Sequence, residues 1–191
     1  MTTYAVVAWS EMNGQDRSQI CFRVVFWEGE GSTPAMGDIQ TISDSVDLTY
    51  PAVSASYFES YAMSMGPEPE IFITVDLAYE KDRPNGDGQF IRYERYWGHP
   101  GGGEPYFSEF ELTTAPQPMD VHNVQNDICR HPDIVYYSHP GQTVMCNSVE
   151  TKVIPKIDAP FVVFECETSV TSPSGFFALI GWDPVFGENT L

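Results

Sequence analysis

The sequence predicts a mainly β protein, an antiparallel sandwich or barrel-like domain with long Gly/Pro loops and one or two short helices. Three observations carry that expectation. Short runs with an apolar residue at every second position recur along the chain, Pro and Gly separate them, and two stretches hold Asn-Gly or Asp-Gly dipeptides of the kind that close hairpins. At 191 residues, with 42% hydrophobic and 14% aromatic content, the chain carries enough apolar surface to bury a core. One domain over 1–191 is expected, with a soft boundary in the Pro-rich linker near 113–119.

The first 28 residues read as a hairpin. Tyr4 to Met12 and Gln15 to Trp27 are strand-like, and Asn13-Gly14 between them tolerates the positive φ values of a two-residue turn. That turn would set Val6 across from Cys21 and Tyr4 across from Arg23. Ile20, Phe22, Val24 and Phe26 alternate strictly, so they form the inward face of the second strand. From Glu28 to Asp47 an acidic, Ser/Thr-rich stretch punctuated by Gly29, Gly31, Pro34 and Gly37 reads as a long loop with a short strand around Ile39 to Ile42. A helix is expected over about 52–64, because Val53, Tyr57, Phe58, Tyr61, Ala62 and Met65 recur at helical spacings between Pro51 and Gly66-Pro67. An extended aromatic strand is the alternative for these residues.

The second hairpin pairs Ile71 to Glu80 with Gln89 to Trp97 around Asp82-Arg83-Pro84-Asn85-Gly86-Asp87-Gly88. Centring the turn on Asp87-Gly88 sets Glu80 against Arg95 and Lys81 against Glu94; centring it on Asn85-Gly86 sets Asp76 against Arg95 and Leu77 against Glu94. Matched charge favours the first register. Beyond a Gly-rich connection at 99–105, a strand is expected over Tyr106 to Leu112. A short helix over Val121 to Cys129, capped by Asp120, should follow. Strands then recur near Ile134 to Tyr137, Thr143 to Met145, Glu150 to Ile154, Pro160 to Glu167 and Gly175 to Trp182.

Charge narrows the partners. Nine Lys and Arg stand against 27 Asp and Glu, a net charge of −18, and no cation falls between Val24 and Glu80. Such a chain is repelled by nucleic acid and anionic lipid, so direct nucleic-acid binding is not expected. Four of the nine cations, Lys81, Arg83, Arg92 and Arg95, lie in the second hairpin, which makes it a candidate interface for the acidic surface of a neighbouring copy. No apolar run approaches the ~20 residues that span a bilayer, and the N-terminus lacks the cationic start of an export signal. Synthesis in the cytoplasm is expected, with a final location in an assembled extracellular particle such as a virion.

Few residues here suggest chemistry. Cys129, His131, His139 and Cys146 are the one cluster of soft-metal ligands, but their spacing lacks the paired knuckle of a structural zinc site, so zinc is a minor alternative and no cofactor is expected. The four cysteines, Cys21, Cys129, Cys146 and Cys166, are expected as buried thiols, with a Cys129–Cys146 disulfide as an alternative. Asp82, Asn85 and Asp87 resemble part of a calcium loop without its terminal Glu. Glu109/Glu111 and Glu165/Glu167 are carboxylates two apart on strands, a spacing that suits a retaining glycosidase and equally a solvated sheet face. The G-x-S-x-G, Walker, H-E-x-x-H and strand-linked G-x-G-x-x-G patterns are absent.

The expectation is therefore a non-enzymatic structural or assembly protein, a virion (tailed-phage capsid or tail) component packing against copies of itself or neighbouring subunits. A carbohydrate-binding module or small β-sandwich glycosidase is the alternative, built on those Glu pairs and on Trp9, Trp27, Trp97 and Trp182. A Cys/His zinc-stabilised regulatory domain is the second.

Overall fold

The computed structural model describes residues 2–29, 31, 33–60, 70–98, 111–112, 119–122, 127–139, 142–146, 149–154, 157–168, 171–179, 181–182 and 189–190. In chain order the strands are β1 (Thr2–Met12), β2 (Ser18–Glu28), β3 (Ala35–Met36), β4 (Gln40–Ile42), β5 (Leu48–Ser60), β6 (Glu70–Asp82), β7 (Gln89–Gly98) and β8 (Glu111–Leu112). They continue with β9 (Met119–His122), β10 (Ile128–His139), β11 (Gln142–Cys146), β12 (Val149–Ile154), β13 (Ile157–Thr168), β14 (Thr171–Leu179), β15 (Gly181–Trp182) and β16 (Asn189–Thr190). All pairing is antiparallel, and there is no helix among the described residues.

Three sheets stack face to face. The first holds β1, β2, β3 and β4; the middle one holds β5, β6, β7, β8 and β9; the third runs β10-β13-β14. The strand β6 explains the stack. Its odd positions Ile73, Val75, Leu77 and Tyr79 join Ile20, Phe22, Val24 and Phe26 of β2 in one core. Its even position Ala78 joins Ile91 and Tyr93 of β7 in a second core, with Cys129 and Ile134 of β10 and Val162, Phe164 and Cys166 of β13. Every residue from Ile73 to Glu80 is buried, so this strand is covered on both faces, and its polar residues Thr74, Asp76 and Glu80 are buried with the apolar ones.

That position makes the polar residues of β6 decisive. Asp76 is fully buried, and its carboxylate accepts hydrogen bonds from Arg95 Nε (2.5 Å), Arg95 Nη2 (3.1 Å) and the Tyr93 hydroxyl (2.5 Å). Burial, and then the negative charge of Asp76, push the Tyr93 hydroxyl far above the ordinary tyrosine range, so it stays a donor. Thr74 and Ser56 share a hydroxyl–hydroxyl bond of 2.5 Å on the same face.

The second hairpin adopts the Asn85-Gly86 register: Asp76 opposes Arg95 and Leu77 opposes Glu94. The Asp87-Gly88 alignment is thereby corrected. Exposed charge pairs contribute about 0.2–1 kcal/mol each, less than the cost of leaving one partner of a buried ion pair alone. In the turn, the Gly86 N–H donates to Arg83 O (2.9 Å) and the Arg83 N–H to Gly88 O (3.0 Å). Gly86 and Gly88 take φ of 78° and 105°.

Other expectations shift for local reasons. The first hairpin closes through a five-residue loop in which Asn13 Oδ1 accepts the N–H groups of Gln15 (2.8 Å) and Arg17 (3.2 Å), while Asp16 takes φ 56°. Trp9, not Val6, therefore opposes Cys21. The offset turns Tyr4, Val6 and Ala8 inward beside Ile20 to Phe26, where one apolar face is completed. The helix expected at 52–64 is strand β5 through Ser60, paired along β6; residues 61–64 lie outside the described residues. Pairing with a doubly covered strand outweighs weak helical spacing in residues with good β propensity. The helix expected at 121–129 is likewise replaced, by β9 at one end and the start of β10 at the other, with 123–126 undescribed. The short strand expected near Ile39 to Ile42 is β4. The linker near 113–119 lies outside the described residues except Met119.

Removing one member of the buried pair, as in Asp76→Ala or Arg95→Met, should cost about 3–5 kcal/mol in urea unfolding, whereas Asp76→Leu with Arg95→Met should recover most of that loss. A Cβ on Gly88 would stand 3.1 Å from Asp127 O and Ile128 Cγ1, while one on Gly86 meets nothing within 4 Å. Gly88→Ala should thus destabilise by about 1–3 kcal/mol, and more than Gly86→Ala in the same assay.

Candidate functional site

The cations gathered in the second hairpin are directed to partners within the chain. Lys81 Nζ meets Asp44 Oδ2 at 2.6 Å, which ties the hairpin to the acidic 28–47 segment of the same molecule. Burial raises the Asp44 carboxyl, but the hydrogen bond from Lys81 and those from Ser45 outweigh it and hold it below its ordinary value. Arg92 Nη1 reaches Asp120 at 2.9 Å and Arg92 Nε reaches Glu94 at 3.3 Å. Burial works against the Arg92 charge, and those two carboxylates prevail. Arg83 lies over the Phe90 ring at 5.3 Å. Arg95, 4% exposed, belongs to the core beside Asp76 and has no surface to offer a neighbour.

The Cys/His cluster comes apart. Cys129 and Cys166 are directly opposed on β10 and β13 and form a disulfide with Cα atoms 4.0 Å apart, which corrects both the expectation of four thiols and the Cys129–Cys146 alternative. A bonded Cys129 cannot offer a thiolate to zinc, so the four-ligand set is broken. The pairing was hidden because 37 residues separate the two cysteines, and only the register of β10 on β13 joins them. His131 is exposed, and the side chains of His139 and Cys146 lie outside the described residues. No group of three His, Cys, Asp or Glu side chains converges among the described residues. Cys21 is a buried free thiol on the outer side of β2, covered by Glu11 (3.3 Å) and Thr41 (3.7 Å), and burial raises its pKa.

His131 sits in a bulge of β10 with φ 51°, and Tyr50 sits in a bulge of β5 with φ 49°. Their rings meet edge to face at 5.5 Å. Buried Glu80 supports the pair from beneath: Oε1 accepts the His131 N–H at 2.7 Å and Oε2 accepts the Thr49 hydroxyl at 3.3 Å. Glu165 Oε2 lies 3.4 Å from His131 Nδ1 at the surface. Glu80 thus satisfies a backbone donor that the bulge takes out of the ladder. Glu165 and Glu167 stand on the solvent side of β13, alternating with buried Phe164 and Cys166. Glu111 is in β8, and Glu109 lies outside the described residues. The calcium-like turn spends its groups internally, Asn85 Nδ2 donating to Asp87 (2.6 Å) and Gln89 Nε2 to Asp82 (2.9 Å). Trp9 Nε1 donates to Glu11 (3.0 Å).

Sequence reasoning missed the outer faces of the stack. Val7 and Met36 on the first sheet are 50% and 55% exposed, and Val135 and Val163 on the third are 57% and 47% exposed. The signal was present in the run Ile20 to Trp27, where the outward positions Cys21, Val25 and Trp27 are as apolar as the inward ones. Comparison with known protein families, with curated proteins and with solved structures returned no match. Among the described residues there is no helix long and apolar enough to cross a membrane.

Peptide mapping without reductant should recover Cys129 linked to Cys166. Alkylation of the native protein at pH 8 should leave Cys21 unmodified until denaturant is added; rapid native labelling of Cys21 would show that its cover is absent.

Proposed function

We infer that this chain is a non-enzymatic structural or assembly subunit that packs against copies of itself or neighbouring subunits, as a virion component would. The observation that carries this reading is the large apolar side chains exposed on opposite outer faces of the three-sheet stack, Val7 and Met36 on the first sheet and Val135 and Val163 beside exposed Asp133 and Glu165 on the third. Large apolar side chains held half exposed on well-paired sheets suit contact with another protein surface. Three of the side chains that sequence reasoning considered for chemistry are engaged in holding the fold: Cys129 in a disulfide, and Asp82 and Asp87 in turn bonds. A disulfide in the core also suits a particle that ends outside the reducing cytoplasm.

Net charge opposes contact between copies at long range, and salt removes that opposition, since the Debye length falls from ~30 Å at 0.01 M to ~8 Å at 0.15 M. Size-exclusion chromatography with light scattering at micromolar concentration should therefore show oligomers at 0.15 M salt and a shift toward monomer at 0.01 M. A monomer under both conditions, and up to ~0.1 mM, would remove self-assembly.

A further inference from the structure

The outer face of the first sheet is unusual for a solvated surface. A half-exposed strand ordinarily alternates apolar and polar residues, yet the outward set on β2 is Cys21, Arg23, Val25 and Trp27, with Val7 directly across from Arg23 and Met36 directly across from Val25. Arg23 is the charged residue of that set. Among the described residues its buried Nε has no hydrogen-bond partner, and its Nη1 donates to the Met36 thioether sulfur at 3.3 Å, a weak acceptor. In a chain with 27 carboxylates, none pairs with Arg23 among the described residues. A guanidinium with a desolvated, unused donor amid exposed apolar side chains is arranged for a carboxylate that none of the described residues provides.

A carboxylate in a matching setting exists on the opposite side of the molecule. On the outer face of the third sheet, exposed Asp133 lies directly across from Val163, and Val135 follows two residues along the same face of β10. The two patches correspond: a cation beside Val7 and Met36, and an anion beside Val135 and Val163. Among the described residues Asp133 accepts the N–H of the next residue, Ile134 (2.8 Å), at one oxygen, which leaves its second oxygen for a partner.

We propose that the outer face of the first sheet, centred on Arg23, docks the outer face of the third sheet of a second copy, with Arg23 meeting Asp133 and the flanking apolar residues closing around them. This rests on the assembly reading above and specifies its contact. Because two different surfaces meet, the contact is heterologous: repeated, it builds a ring if the rotation closes and a filament if it does not. The ion pair sets register, and the apolar residues supply contact area.

The test uses purified full chains at 0.15 M salt, with oligomer size read by light scattering and folding by circular dichroism and thermal midpoint. Arg23→Glu alone and Asp133→Arg alone should each weaken association about tenfold or more while the fold persists, because each places like charges together. Mixing the two variants should restore assembly, since every contact in an alternating chain then pairs opposite charges. Arg23→Gln, which removes the charge, serves if Arg23→Glu does not fold; alone it should weaken association, and mixed with Asp133→Arg it should restore only every second contact and stop assembly at pairs. Unchanged oligomers in the folded single variants, beside an oligomeric wild type, would overturn this contact and leave the assembly reading standing. Failure of the mixture to recover would overturn the Arg23–Asp133 pairing. A wild type that stays monomeric would overturn both.

Discussion

A carboxylate in the dry middle of a three-sheet stack sets the terms for the rest of this molecule. Asp76 lies on β6, which is covered on both faces, and a lone charge there would be too costly to fold around. Arg95 must therefore stand directly opposite, and the hydroxyl of Tyr93 must be near enough to donate as well. That requirement aligns β6 with β7, and the alignment in turn places Ala78, Ile91 and Tyr93 where the third sheet can pack on them. One polar contact thereby selects the register of a largely apolar interface, a use of buried ionic groups that concerns specificity more than net stabilisation.

The same economy of polar groups runs through the neighbouring strands. Glu80, two positions along the same face of β6, accepts the backbone N–H that a bulge in β10 removes from its ladder, and it also accepts the Thr49 hydroxyl. Lys81 then ties the hairpin to Asp44, and Asp47 Oδ1 accepts the Ser18 N–H at 2.6 Å, joining the long acidic segment to the first sheet. The cations that look segregated along the chain are thus largely absorbed by carboxylates from other strands. Arg23, a cation outside that hairpin, lies on a face that the distribution of charge along the sequence does not single out.

Much of the architecture was legible because periodicity reports burial directly. The alternating run Ile20 to Phe26 identifies an inward face, and the two hairpins follow from turn dipeptides flanked by such runs. The expected helix at 52–64 shows the limit of this reading: Val53, Tyr57 and Phe58 fit helical and extended patterns alike, and only the presence of β6 beside them decides. The zinc set fails for a related reason. Cys129 and His131 are neighbours in sequence, yet the disulfide partner is the more distant Cys166, brought opposite by strand pairing.

By itself the sequence determined the class of structure, the two hairpins, the inward face of β2 and the strongly negative surface, because each depends on residues within a few positions or on composition alone. Tertiary structure decided the registers, the disulfide, the two-sided burial of β6 and the placement of Arg23 beside Val7 and Met36. These depend on which distant residue stands opposite, and a shift of one or a few positions along a strand exchanges partners and faces while leaving the local pattern almost unchanged.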